Sequence, residues 1–243
     1  MNVFYRWLLF IAIGLIVVVV AGYFLVVSGV LGLNNPNVSM YPVRGVDVSH
    51  HQGVINWEEV SESGYAFAFI KATEGGDHRD NNFVYNWKEA QKAGLKVSAY
   101  HYYSFCKTPT EQFLNFSNVV PKSIGGIPPA IDLEYDKNCN SAVDVGGFRK
   151  SLLVFVTKIK DFYNVSPVLY CNEDFYLKYL AASDFDDCLI WVRNTYKRPD
   201  IGDGVLYEFW QYSSKGSVEG VKGFVDLNVF NGTKDQFNQM FPN

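Results

Sequence analysis

The chain has 243 residues, a formal charge of −4 and no run of Lys or Arg. It therefore lacks the basic stripe needed to neutralise phosphates, which excludes nucleic acid as its main partner. Aromatic residues make up 16%, with 16 Tyr and 5 Trp, more than a core alone requires and suited to a groove that stacks sugar rings.

From Leu8 to Leu33 no residue is charged, and LLFIAIGLIVVVVAGYFLVV is almost wholly aliphatic or aromatic. A bilayer core needs roughly 20 such residues in a helix, whereas the apolar part of a cleaved signal peptide is about 7–15 long. An uncleaved, single-pass transmembrane anchor over 8–33 is the expectation. Arg6 is the only charge before it, so the positive-inside bias places residues 1–7 in the cytoplasm. Residues 34–42, NNPNVSMYP, are polar with two prolines and read as a tether. The rest, 43–243, fits one domain on the extracytoplasmic side of the membrane, expected to be a monomer.

Runs rich in β-branched and aromatic residues recur at Val43–Val48, Tyr65–Ala72, Lys96–Tyr103, Pro129–Tyr135, Pro167–Asn172, Leu189–Arg193, Tyr207–Tyr212 and Phe224–Phe230. Helical segments separate the early runs. Asn81–Ala93 stops at Gly94; Pro109–Val120 starts after a capping Thr108. Asp144–Tyr163 carries an apolar stripe of Phe148, Leu152, Phe155, Val156 and Ile159, and Asp174–Ala182 follows Asn172. The last gaps hold Gly, Pro, Asp and Ser and leave no room for a packed helix. Alternating strands and helices imply parallel strands. The predicted fold is α/β: a TIM-like irregular barrel of eight strands with helices after the first five. A flavodoxin-like open sheet is the alternative.

Four cysteines, Cys106, Cys139, Cys171 and Cys188, match no zinc spacing. An even count in an exported domain favours two disulfides, most simply Cys106–Cys139 and Cys171–Cys188.

In such a barrel, functional residues sit at the C-terminal ends of strands. Asp132-Leu133-Glu134 is the sharpest feature there. Residues two apart on a strand share a face, about 6.6 Å apart. Two carboxyls on one dry face cannot both ionise cheaply, which keeps one of them protonated. A carboxylic acid protonated near neutral pH is what a glycosidase uses as proton donor. Asp47 and Asp226 lie at two further strand ends, and four acids around one rim fit a cationic, oxocarbenium-like transition state. His101, Tyr103, Tyr170, Trp191, Gln211 and Tyr212 are the candidate substrate-binding residues of the same rim. A metal held by His50, His51, His101 and Asp47 is disfavoured, because adjacent residues on a strand point opposite ways; no metal and no cofactor are expected.

Arg44-Gly-Val-Asp-Val-Ser-His-His-Gln-Gly-Val-Ile-Asn-Trp57 strongly resembles the opening of the glycoside hydrolase family 25 lysozymes. So do Phe69-Ile-Lys-Ala-Thr-Glu-Gly75, Ala99-Tyr-His101, Pro129-Ala-Ile-Asp-Leu-Glu134, Trp210-Gln-Tyr212 and Val225-Asp-Leu-Asn228, in family order. The resemblance implies hydrolysis of the β-1,4 bond between N-acetylmuramic acid and N-acetylglucosamine in peptidoglycan glycan strands. It implies Glu134 as proton donor, Asp132 as the acid beside it, and Asp47 and Asp226 as the two further acids. The segments around Cys106 and Cys139 resemble a subgroup that links those two cysteines. His51 stands where the family often has an aromatic residue, and Tyr102-Tyr103 where phenylalanine is frequent, which bears on subsite preference. A retaining route needs carboxyls about 5–5.5 Å apart and an inverting one about 6.5–9.5 Å. A third uses the substrate's own 2-acetamido group, oriented by Asp132, and is the preferred expectation. The rival readings are a non-catalytic peptidoglycan-binding module on a membrane anchor and a chitinase-like hydrolase.

Overall fold

The structure is a computed structural model and describes residues 3–27, 34–135, 144–181, 184–202 and 204–242. Helix α1 (Val3–Val27) is apolar apart from Arg6, and its side chains from Phe4 to Leu25 are largely exposed. Its Phe4–Leu25 segment is long and apolar enough to cross a membrane, as an anchor or as a signal sequence.

Eight strands close into a barrel: β1 (Arg44–Val48), β2 (Tyr65–Glu74), β4 (Lys96–Tyr102), β5 (Ala130–Asp132), β6 (Val168–Asn172), β7 (Leu189–Arg193), β8 (Phe209–Gly216) and β9 (Val225–Phe230). The pairing of β1 with β2 completes the ring. Strand β3 (His78–Arg79) is a short antiparallel flap on β2. All eight predicted runs fall on these strands. One direction differs from expectation: β9 is antiparallel to both β8 and β1. The short segment between β8 and β9 carries no helix, so the chain can only turn back as a hairpin.

Helices α2 (Trp57–Glu62), α3 (Phe83–Lys92), α4 (Pro109–Ser117), α5 (Val145–Tyr163) and α6 (Glu173–Phe175) follow the first five parallel strands in turn. Their starts are written locally. Asn56, Thr108, Asp144 and Asn172 each accept a hydrogen bond from a backbone N–H of the first turn. The expected 174–182 helix is one α-turn that widens into a π-turn at Tyr176–Leu180. A last helix, α7 (Lys234–Met240), was not foreseen, although Thr233 and Gln236 form a capping box.

Strand alternation divides the core in two. Inward residues Phe67, Phe69, Ala130, Val168, Trp191, Phe209 and Phe230 fill the barrel. Phe237 and Phe241 plug its floor from α7 and just beyond; burial of one such ring stabilises by about 1.5–3 kcal/mol. Gly45 belongs to the same interior, where a Cβ would run into the Phe67 ring. Outward residues Val46, Ile70, Ile131, Leu169 and Val192 pack under the helices with Phe148, Leu152, Phe155 and Ile159.

Among the described residues no helix covers the wall at β8. Residues 34–42 lie there instead: the Tyr41 ring meets Trp210 edge-on at 5.6 Å, after a turn begun at Asn37. The side chain of Asn34 donates to the carbonyl of Asn194 at 3.4 Å, just past the end of β7.

The expected Cys171–Cys188 bridge is not formed; both are free, buried thiols. In the β6–β7 ladder Val168 pairs with Leu189 and Cys171 with Val192. Cys188 therefore lies level with Pro167, about 13 Å along the strand from Cys171, while a disulfide needs Cα atoms within about 7 Å. Cys106 is not among the free thiols, and Cys139 lies outside the described residues.

Candidate active site

At the mouth, the inward parity that fills the floor with Phe and Trp delivers polar side chains instead. β1 brings Asp47, β2 Lys71, β4 Tyr100 and Tyr102, and β5 with its extension Asp132 and Glu134. β6 brings Tyr170, β7 Arg193, β8 Gln211, and β9 Asp226 and Asn228. Leu133 N–H donates to the Tyr170 carbonyl at 2.8 Å, so the ladder continues past Asp132 and holds Glu134 on the same face as Asp132.

Asp47 is the hub. Its Oδ2 accepts from Gln211 Nε2 at 2.8 Å and from Asn228 Nδ2 at 2.7 Å. Asn228 in turn accepts from Trp191 Nε1 at 2.8 Å. The Tyr170 hydroxyl lies 2.9 Å from Gln211 Oε1 and 3.3 Å from Glu134 Oε1. Burial pushes Asp47 up to about 6, against the two amide hydrogen bonds that favour its charged form. Asp226 is pushed up to about 8, by burial first and then by the charge of Asp47, with Arg193 opposing. Asp132 is held well above the usual carboxylate range by burial and by the neighbouring Glu134, with Lys71 opposing. Its Oδ1 is buried and has no hydrogen-bond partner among the described residues. Lys71 itself pairs with Glu74 at 2.7 Å and faces the Tyr102 ring.

The structure brings Asp47, Asp132, Glu134, Asp226, Tyr170, Trp191 and Gln211 together. It does not bring His101, Tyr103 or Tyr212 to them. His101 points outward and is wholly buried; its Nδ1 meets Thr73 Oγ1 at 2.7 Å and its Nε2 meets Gln112 Oε1 at 3.1 Å. Its ring stacks on Phe155, and burial lowers its pKa to about 4, so it is neutral. The Tyr103 hydroxyl bonds Ser151 of α5 at 2.7 Å. Tyr212 packs beside Trp210 on the outer wall. Trp191 does face inward, but it is 2% exposed and stacked on Phe69 at 3.9 Å, so it supports the floor of the site and offers no face to a ligand. Tyr100 and Tyr102 were missed as site residues. The register pairing Tyr102 with Asp132 puts them on the acid-bearing face.

His50 Nδ1 is 2.9 Å from Asp80 and its ring packs on His51. Among the described residues no group of three His, Cys, Asp or Glu converges to hold a metal.

A closed, mostly parallel barrel with four carboxyls gathered at its mouth suits glycoside hydrolysis. Residues 46–221 match the family described as Glycosyl hydrolases family 25, and the chain belongs to that family. The uncharacterized protein YegX of Escherichia coli O157:H7 is 36% identical over 201 residues, covering 81% of this chain and 72% of its own length. Lysozyme M1 of Streptomyces globisporus is 32% identical, covering 79% and 68%. The structure of a family 25 glycosyl hydrolase from Bacillus anthracis superposes with a TM-score of 0.78 at 33% identity, covering 84% of this chain and 95% of that one. The enzyme is a glycoside hydrolase of the lysozyme type.

Proposed function

We propose that the enzyme cleaves the β-1,4 bond between N-acetylmuramic acid and N-acetylglucosamine in peptidoglycan, with Glu134 as general acid and Asp132 orienting the substrate's 2-acetamido group. One observation carries this reading: Asp132 Oδ1, a buried carboxylate oxygen beside Glu134, has no donor among the described residues. An unmet acceptor of that kind is costly unless a ligand completes it. The acetamido N–H supplies the missing donor. Held there, the acetamido carbonyl oxygen attacks C1 as Glu134 protonates the leaving O4, giving an oxazolinium ion. Glu134, now a carboxylate, then takes a proton from the water that opens that ring. Asp47 and Asp226 add negative charge around the cationic transition state. The lysozyme names of its relatives favour peptidoglycan over chitin.

In this reading α1 is a single-pass anchor, residues 34–42 are its tether, and the domain works outside the membrane as a monomer. Mass spectrometry of fragments released from purified peptidoglycan tests the assignment. Products with N-acetylmuramic acid at the reducing end are expected. Products with N-acetylglucosamine at the reducing end, cleavage of chitin oligomers alone, or binding without release would overturn it.

A further inference from the structure

Five side chains at the mouth form one hydrogen-bonded chain whose direction is set by chemistry. Trp191 Nε1 can only donate, and it meets Asn228 Oδ1. That turns Asn228 Nδ2 toward Asp47 Oδ2. Gln211 Nε2 donates to the same oxygen, which leaves Gln211 Oε1 facing the Tyr170 hydroxyl at 2.9 Å. An amide oxygen only accepts, so the single Tyr170 proton is committed to it. The other neighbour of that hydroxyl is Glu134 Oε1, at 3.3 Å, and only lone pairs are left to face it.

We propose that Tyr170 and Gln211 are positioning residues that keep the catalytic proton on Glu134: Tyr170 accepts from the Glu134 carboxyl because Gln211 has already taken its own proton. The proposal rests on Glu134 being the general acid. It reassigns Tyr170 and Gln211 from binding sugar to loading that acid before each turnover. Asp47 is the anchor, since its carboxylate is what orients Gln211. After the proton leaves, the Tyr170 hydroxyl is shared between Gln211 Oε1 and the new carboxylate, so reprotonation restores the original direction.

Other charges act on the same carboxyl. Asp47 from β1, Asp132 from β5, Asp226 from β9 and Tyr170 from β6 face Glu134; Lys71, Glu74 and Arg193 act on those acids from β2 and β7. Tyr170→Phe leaves all the acids and cations in place and deletes one oxygen. If Tyr170 accepts from Glu134, its loss removes support from the protonated form, and the alkaline limb of kcat moves to lower pH. One net hydrogen bond corresponds to about 0.5–1 pH unit. If Tyr170 instead donates to a Glu134 carboxylate, the limb moves to higher pH.

Gln211→Met supplies the second arm. It frees the Tyr170 proton for the Glu134 carboxylate and should also move the limb down, but only while Tyr170 is present. In Tyr170→Phe/Gln211→Met the limb should stay where Tyr170→Phe puts it. The measurement is kcat against pH for the full-length enzyme in detergent on purified peptidoglycan, with thermal melts for folding. An upward shift in Tyr170→Phe overturns the proposal. So does an unchanged limb, and so does a Gln211→Met shift that persists without Tyr170. Glu134→Gln separates the two readings: if it keeps turnover, the general-acid assignment fails; if it is dead and the limb of Tyr170→Phe does not fall, only the relay fails.

Discussion

Asp47 and Asp226 are direct cross-strand partners, their Cα atoms paired across the antiparallel β1–β9 ladder. Like charges placed opposite each other in a sheet are destabilising, and here the pair is also buried. Burial is the main reason both are pushed up, Asp47 to about 6 and Asp226 to about 8; the charge of Asp47 adds to the rise at Asp226, and that of Glu134 to the rise at Asp47.

The sign of the stability effect follows from that. A carboxyl whose folded pKa lies above its unfolded value binds more protons folded than unfolded. Its contribution is fully present below pH 3.8 and is lost as pH rises through the folded pKa. The contribution of this pair to the wild-type melting temperature should therefore fall between about pH 4 and pH 8, against the opposite trend of His101 at the acid end. Asp226→Asn removes one buried charge and one repulsion. It should raise stability by on the order of 1–3 kcal/mol at pH 8 and by much less at pH 5, while lowering activity. Melts of both proteins across that range would refute this if the difference were independent of pH.

Glu134→Gln should abolish turnover and leave substrate binding nearly intact, because the amide keeps the shape but holds no proton to give. General-acid catalysis contributes roughly 10²–10⁴-fold. Asp132→Asn should lose most activity, because an amide cannot hold and polarise the acetamido N–H as the acid does. Steady-state kinetics on one batch of peptidoglycan, with binding measured separately, decides both.

His101 should matter for stability and not for substrate. It is buried neutral with both ring nitrogens engaged, its pKa held near about 4. A histidine depressed in the fold contributes stability above its unfolded value, near 6.5, that is lost as pH falls toward 4. His101→Ala should cost about 2–4 kcal/mol through a cavity and unpaired partners, with KM unchanged. A large KM effect in a folded variant would place His101 in the groove after all.

Alkylation before and after unfolding should find Cys171 and Cys188 reactive only once unfolded, because burial raises both thiols, Cys188 to about 12. Cys106 should be recovered linked to Cys139, a bridge worth roughly 2–4 kcal/mol. A Cys171–Cys188 peptide pair in the non-reduced digest would contradict the β6–β7 register.

The barrel was legible because its strands are runs rich in β-branched and aromatic residues. The reversal of β9 was missed, since nothing within the strand marks its direction and only the short, helix-free gap before it does. The acids were legible because Asp132 and Glu134 share a face by their spacing alone. His101 and Tyr103 were chosen one residue out of step with Tyr100 and Tyr102. Both faces of these strands are buried and both carry polar groups, so parity becomes visible only once Tyr102 is paired with Asp132. The partner that satisfies His101, Gln112, sits on α4, and no local pattern announces that contact. An even cysteine count says nothing about distance.

Residues 34–43 run along the β8 side of the barrel between floor and mouth. Val43 packs with the floor residues, Tyr41 against Trp210 at mid-height, and Asn34 beside Asn194 at the rim. Asn34 thus sits at the same end of the barrel as the four acids. Residues 28–33 reach at most about 20–25 Å when extended. With α1 in a bilayer, the mouth would stand no farther than that from the lipid surface, a headroom that quenching of a rim-attached fluorophore by lipid-borne quenchers would measure. Glycan strands would then have to slide in edgewise beneath the domain, which would confine the enzyme to the innermost layer of the wall.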